Sequence, residues 1–250
     1  MMLQGKRIIL TGALGSLGRA QAMALEGEFH ALQPNLPGAS CPIHGNGFSS
    51  EWMVQTVSAT SATLSLSSAG PGPYVYDAAV TYSLNGHGAL SMTLAVVNRG
   101  PRLPFGLGFH PWLRRTNDVL LQALASSIDL DDERHLPSGS VPVAKRPDWD
   151  FSHLAPLPVG WINNAFTGWN GRARILWPAR RLALNIEVDP VFSTCILYSP
   201  SVEADFFCFE PVSHRVDAHN LPEGVITSGL TVLANDGRLL GACRFIPSGR

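Results

Sequence analysis

An antiparallel all-β sandwich is the fold class this sequence predicts, and three features carry that prediction. Short runs rich in Val, Thr, Leu, Tyr and Phe recur from about Glu26 onward, separated by Gly, Pro, Asn and Ser. No apolar stretch after residue 25 has the spacing and length of an ordinary helix. Asn85-Gly86 stands between two alternating runs, the strongest short-range signal for a hairpin. Each sheet built from such strands has one apolar face, and with no helices to cover it a second sheet must.

Taken in order, residues 6–25 read differently from the rest. Lys6-Arg7-Ile8-Ile9-Leu10 is a short apolar strand, and Thr11-Gly12-Ala13-Leu14-Gly15-Ser16-Leu17-Gly18-Arg19-Ala20 is a Gly-rich turn opening a helix. This stretch resembles the first strand, turn and helix of the short-chain dehydrogenases, whose glycines let the backbone approach a pyrophosphate. The resemblance then stops. No second strand-and-helix unit follows, and Tyr74, Tyr76, Tyr82 and Tyr198 have Ala78, Val80, Gly86 and Val202 four places on, where that family requires Lys. Residues 1–25 therefore read as a dehydrogenase-like leader rather than an independent domain, and 26–250 as the sandwich.

Within the sandwich, residues 78–84 and 89–98 alternate around Asn85-Gly86-His87-Gly88 as a hairpin. Residues 172–177, 182–188, 194–198, 206–210 and 230–233 continue the series of strands. The stretch 129–158, rich in Asp, Pro and Ser, reads as a long excursion over the surface. A large sandwich with long loops at one edge offers a concave face on which polar side chains can line a cleft the size of a small molecule.

Composition narrows the ligand. Apolar residues make up 45% and charged residues 15% of the chain, and the net charge is −1. That balance disfavours a nucleic-acid face or an anionic membrane surface and suits a small neutral ligand. Cys41, Cys195, Cys208 and Cys243 have neither CxxC pairing nor metal-ligand spacing. They read as buried free thiols in a reducing compartment, with no metal implied. No run of about 18 apolar residues and no cleavage site after an apolar stretch appear, so a soluble cytoplasmic protein is expected.

Three stretches could carry chemistry. Asp205-Phe206-Phe207-Cys208-Phe209-Glu210 ends in a carboxylate where an apolar strand meets Pro211, and a carboxylate leaving a core must find donors or a proton. His44-Gly45-Asn46-Gly47 precedes Trp52, and Leu107-Gly108-Phe109-His110-Pro111-Trp112 follows the strand that ends at Asn98. With residues 161–171 and 212–220 in the same order, these motifs resemble the aldose 1-epimerase family, the mutarotases of the galactose mutarotase-like β-sandwich class. The resemblance implies a cofactor-free 1-epimerase acting on a free aldohexose. It implies His110 as proton donor to the ring oxygen and Glu210 as acceptor of the C1 hydroxyl proton. It further implies His44 as a sugar ligand holding charge near the ring oxygen. Trp52 and Trp112 are candidates to stack on a sugar face, as is Trp169, although ordinary core packing suits each equally well.

Two departures from the family pattern stand out. Asn163 occupies the place of a usual Asp that hydrogen-bonds sugar hydroxyls, so a charge-assisted bond becomes a neutral one. The leader stands where family members have opening strands and a substrate-contacting Arg, a role that passes to neither Arg7 nor Arg19. Missing strands would leave exposed sheet edges and a partly open cleft, with low or absent activity. Two other functions stay open: a sugar-binding sandwich without turnover, and a nicotinamide-dependent oxidoreductase. A phosphosugar is a further substrate class, because Arg102, Arg114 and Arg115 flank the His110 segment. Nothing in the sequence sets an oligomeric state.

Overall fold

Alternating side chains have only two directions to point, so the strands of this chain sort their residues cleanly between a shared core and the outside. The computed structural model describes residues 23–25, 28–30, 32, 34–35, 42–133 and 135–249. The strand, turn and helix expected at 6–20 lie outside the described residues.

The described residues form β1 (Met23–Leu25), β2 (Glu28–His30), β3 (Met53–Val57), β4 (Ser61–Ala69), β5 (Val75–Leu84), β6 (Leu90–Asn98), β7 (Leu103–Phe105), β8 (Trp112–Arg114), β9 (Leu120–Ala123) and β10 (Ser127–Asp131). They continue as β11 (Pro137–Pro142), β12 (Ala155–Pro156), β13 (Ile162–Thr167), β14 (Arg172–Trp177), β15 (Leu182–Val188), β16 (Thr194–Ser199), β17 (Phe206–Val212), β18 (Thr231–Leu233) and β19 (Arg238–Gly249). The helical elements among them are single 3₁₀ turns. None is long and apolar enough to cross a membrane.

Two antiparallel sheets make the sandwich. The nine-stranded one runs β12-β9-β14-β15-β19-β6-β5-β4-β3, and the six-stranded one runs β11-β10-β13-β16-β17-β8. Tyr76, Ala78, Val80 and Tyr82 of β5 and Met92, Leu94 and Val96 of β6 point inward from the larger sheet. They share one core with Ile162, Phe166, Leu197, Phe207 and Phe209 of the smaller one. The β5–β6 hairpin turns where Asn85-Gly86 places it, with Leu84 opposite Leu90. The Asn85 side chain accepts from the His87 and Ala89 amides, and Gly88 takes a φ of 80° that only glycine adopts freely.

Some sequence expectations change here. The stretch 129–158 is not a bare surface excursion: β11 pairs with β10, β12 pairs with β9, and Phe151 and Leu157 are buried in the core. Its acidic start misleads because Asp129 is buried, with two bonds from the Arg215 guanidinium at 2.7 and 3.0 Å. Cys195, Cys208 and Cys243 are buried free thiols, whereas Cys41 lies outside the described residues. β1 pairs antiparallel with β2, Leu25 lying opposite Glu28. Among the described residues β3 is the last strand of the nine-stranded sheet, and its Met53, Val54 and Val57 are exposed. A register shift between Val54 and Thr56 interrupts regular pairing at that edge.

The path from β6 to the smaller sheet is set by buried polar contacts. The Asn98 amide donates to the Pro101 and Leu233 carbonyls at 2.6 and 2.9 Å, turning the chain into β7, which pairs with β18. Gly106 then passes against the buried His214 ring, and a Cβ there would collide with it. Gly106→Ala is therefore expected to destabilise the protein by about 1–3 kcal/mol in urea unfolding. An unchanged midpoint would contradict this packing.

Candidate active site

The pairing between residues 107–114 and 206–213 builds the site. Trp112 lies opposite Cys208 and Arg114 opposite Phe206, while Gly108 bridges to Val212. The Phe109 amide donates to the Pro211 carbonyl at 2.9 Å and the Ser213 amide to the Leu107 carbonyl at 2.9 Å. These fixed points share one register, which sets His110 opposite Glu210. Since Phe109/Pro211 is the hydrogen-bonded position, His110/Glu210 is a non-hydrogen-bonded one, where facing side chains lie closest. Pro111 sits beside the edge strand β8, where a missing N–H is tolerated. His110 Nε2 consequently lies 3.1 Å from Glu210 Oε1.

The same parity defines the surface around the pair. Phe207 and Phe209 enter the core, so Phe206, Cys208, Glu210 and Val212 point to the other side of the sheet. Across the strands, Glu210 is followed by Ile196 and Ala165, and Cys208 by Tyr198 and Asn163. Ala165, Ile196 and Val212, with Val216, form a small apolar floor beside the carboxyl. Asn163 thus shares the face of the pair, one row away. Trp112 is on that face too, 51% exposed. It stacks on Phe206 at 4.2 Å and lies nearly parallel to the His110 ring at 6.1 Å.

His44 sits on a left-handed turn, with φ of 58° at His44 and 66° at Gly45. Asn35 ties this turn by bonds to Ile43 N, Ile43 O and Gly45 O, and the Tyr76 hydroxyl donates to Asn46 Oδ1 at 2.7 Å. The imidazole of His44 meets that of His110 edge-on at 5.0 Å. Trp52, proposed from sequence to stack on sugar, donates its indole N–H to the Gly47 carbonyl at 2.9 Å and packs against the core. That contact holds the His44 turn. Trp169 is buried in the core with its N–H on the Arg172 carbonyl. Arg115 is likewise tied up, donating to Ser199 Oγ and the Pro158 carbonyl.

Burial dominates the electrostatics. It pushes the Glu210 carboxyl up from 4.5 to about 8 and pulls His110 down from 6.5 to about 4. His44 falls to about 4 through burial and the neighbouring His110. Around neutral pH the His110–Glu210 pair therefore holds one proton, in a site that disfavours net charge. The ligand atoms of His44, His110 and Glu210 all lie within 4.8 Å of one another, so two imidazoles and a carboxylate could also receive a divalent cation.

The family model described as aldose 1-epimerase matches residues 18–231. The chain belongs to that family. Within it, the chain is 35% identical over 206 residues to the uncharacterized Escherichia coli K12 protein YphB, spanning 80% of this chain and 70% of the relative. YihR from the same organism, also uncharacterized, is 26% identical over 78% of this chain and 66% of its own length. A crystal structure of an Escherichia coli K12 protein solved as a candidate aldose 1-epimerase superposes with a TM-score of 0.87 at 31% identity, covering 95% of this chain and 82% of that one. A galactose mutarotase-like protein from Clostridium acetobutylicum gives a TM-score of 0.80 at 15% identity over 95% and 78% of the two chains, a likeness of fold alone. The galactose mutarotase-like β-sandwich is thus the fold of this family member.

The apolar floor of Ile196, Ala165 and Val212 was not legible from sequence, because strand pairing brings these residues beside Glu210. Stability should report the buried carboxyl. A folded-state value above the unfolded one means that this group's contribution falls as pH rises from about 4.5 to about 8. Glu210→Gln removes that loss, so its melting temperature relative to wild type should rise across this window. A pH-independent difference would contradict a carboxyl held protonated by burial.

Proposed function

We propose that this aldose 1-epimerase family member interconverts the α and β anomers of a free aldose, with Glu210 as base and His110 as acid. The observation that carries the reading is the 3.1 Å approach of His110 Nε2 to Glu210 Oε1, on the side of the smaller sheet turned away from Phe207 and Phe209. Two groups this close can serve two oxygens bonded to the same carbon.

The proton count balances. With its one proton on His110, the pair is an ion pair; with that proton on Glu210, it is neutral. Glu210 carboxylate takes the proton of the C1 hydroxyl while His110 imidazolium gives its proton to the ring oxygen as the C1–O5 bond breaks. The open-chain aldehyde then lies over protonated Glu210 and neutral His110, the charge-free state that burial favours. Rotation about C1–C2 and closure on the other face return both protons. His44, neutral and edge-on to His110, would bind near the ring oxygen, and the Asn163 amide would reach hydroxyls further along the ring.

The family assignment and the paired proton support turnover over mere binding. A polarimetric assay on freshly dissolved α-glucose or α-galactose tests it. His110→Ala and Glu210→Gln should each slow the catalysed rate by about 10²–10⁴-fold; equal rates in all three proteins would leave a sugar-binding protein without turnover. The rate should be bell-shaped in pH, since a second proton enters near about 4 and the shared one leaves near about 8. A single limb near the ordinary histidine value would contradict the shared proton. Asn163→Asp should lower KM by restoring a charge-assisted bond, and a KM that does not fall would count against Asn163 as a sugar ligand.

A further inference from the structure

The nine-stranded sheet carries a recess of its own. It lies over β9, β14 and β15, has a volume of about 370 Å³, and its walls include Gln122, Asn170, Arg172, Arg174, Asn185 and Glu187. Ala173 and Ile175 of β14 and Ile186 of β15 enter the core, so the alternating Arg172, Arg174, Asn185 and Glu187 point away from it. Both sheets and the core between them therefore separate this recess from the carboxyl of Glu210.

Its charges are unbalanced. Arg172 and Arg174 stand two residues apart on one face of one strand, ~6–7 Å along its axis, where two guanidiniums repel unless an anion joins them. The register sets Arg172 opposite Glu187 and Glu187 opposite Arg244. Glu187 pairs with Arg244 at 3.4 Å, which leaves Arg172 without a counter-charge. Arg174 lies between Asn185 and Gln122, and neither carries one. Among the described residues, neither guanidinium has a hydrogen-bond or ion-pair partner. The amides around them are only partly used. Asn170 Oδ1 accepts from the Arg172 amide at 3.1 Å, leaving its NH₂ group to donate elsewhere. Gln122 Nε2 donates to the Ser152 carbonyl at 3.0 Å, leaving its oxygen to accept.

We propose that this recess binds a phosphomonoester of a small hydroxylated molecule, with Arg172 and Arg174 on the phosphate and Gln122, Asn170 and Asn185 on the hydroxyls. A phosphomonoester carries a charge of about −1.5 to −2 at neutral pH, which matches two guanidiniums. Their planar forks grip phosphate oxygens in pairs. Inorganic phosphate would satisfy the arginines but leave the three amides unused, and nucleic acid calls for a longer basic stripe than two cations in one recess. The site stands apart from the epimerase reading.

Calorimetric titration of the full chain with glycerol 3-phosphate, inorganic phosphate and glycerol tests it. None of the three has an anomeric carbon, so the outcome does not depend on turnover. Glycerol 3-phosphate should bind at least about threefold more tightly than phosphate, the scale of one added hydrogen bond, and glycerol alone should give no measurable binding. Arg172→Gln and Arg174→Gln should each weaken glycerol 3-phosphate binding by about tenfold or more, the scale of a lost charge-assisted bond. Arg180→Gln, outside the recess, should leave it within about twofold. Both arginines are exposed, so the variants should melt with the wild type, and amide NMR shifts confined to β9, β14 and β15 would locate the site without any substitution. Absence of glycerol 3-phosphate binding, phosphate bound as tightly as its ester, shifts elsewhere in the chain, or affinity untouched in both recess variants would each overturn the proposal.

Discussion

One antiparallel register, running unbroken from Arg114/Phe206 past Gly108/Val212, is the constraint on which the rest of the molecule depends. It brings two residues a hundred positions apart in the chain to directly facing positions, and it chooses the type of position at which side chains approach most closely. A slip of one residue would send Glu210 into the inter-sheet core and Phe209 out onto the open face. The aromatic residues that alternate with Glu210 in β17 therefore do more than fill the core. Burying Phe207 and Phe209 between the sheets fixes which way the carboxyl points.

The second constraint is dryness. An imidazole and a carboxyl taken out of water both resist ionisation, one by losing its proton and the other by keeping it. Placed within one hydrogen bond of each other, they reach the same result together: a single proton, which burial favours on Glu210. Ring opening needs a partner that accepts one proton and donates another without net charge, so the same burial that strains an ordinary carboxylate suits this task. The apolar floor of Ile196, Ala165 and Val212 maintains it.

Much of this could be read from the chain before its fold was in hand, for reasons that are local. Alternation and turn chemistry lie in adjacent residues, so the β5–β6 hairpin and most late strands are legible from them. His110, Glu210 and His44 were legible through the motifs around them. What depends on pairing was not. Asp129 reads as a surface residue until Arg215 is found beside it, and the bond that ties the Trp52 N–H to Gly47 has no signal in the spacing of the two residues. The row Trp112–Cys208–Tyr198–Asn163 combines three strand pairings, and no spacing along the chain encodes it.

The shared proton is tested most directly by nitrogen-edited NMR of the His110 ring across pH, in the wild type and in Glu210→Gln. The ring itself should protonate near about 4 and sense a second event near about 8, and the upper event should disappear in the variant. A lone titration near the ordinary value of about 6.5, the same in both proteins, would contradict it.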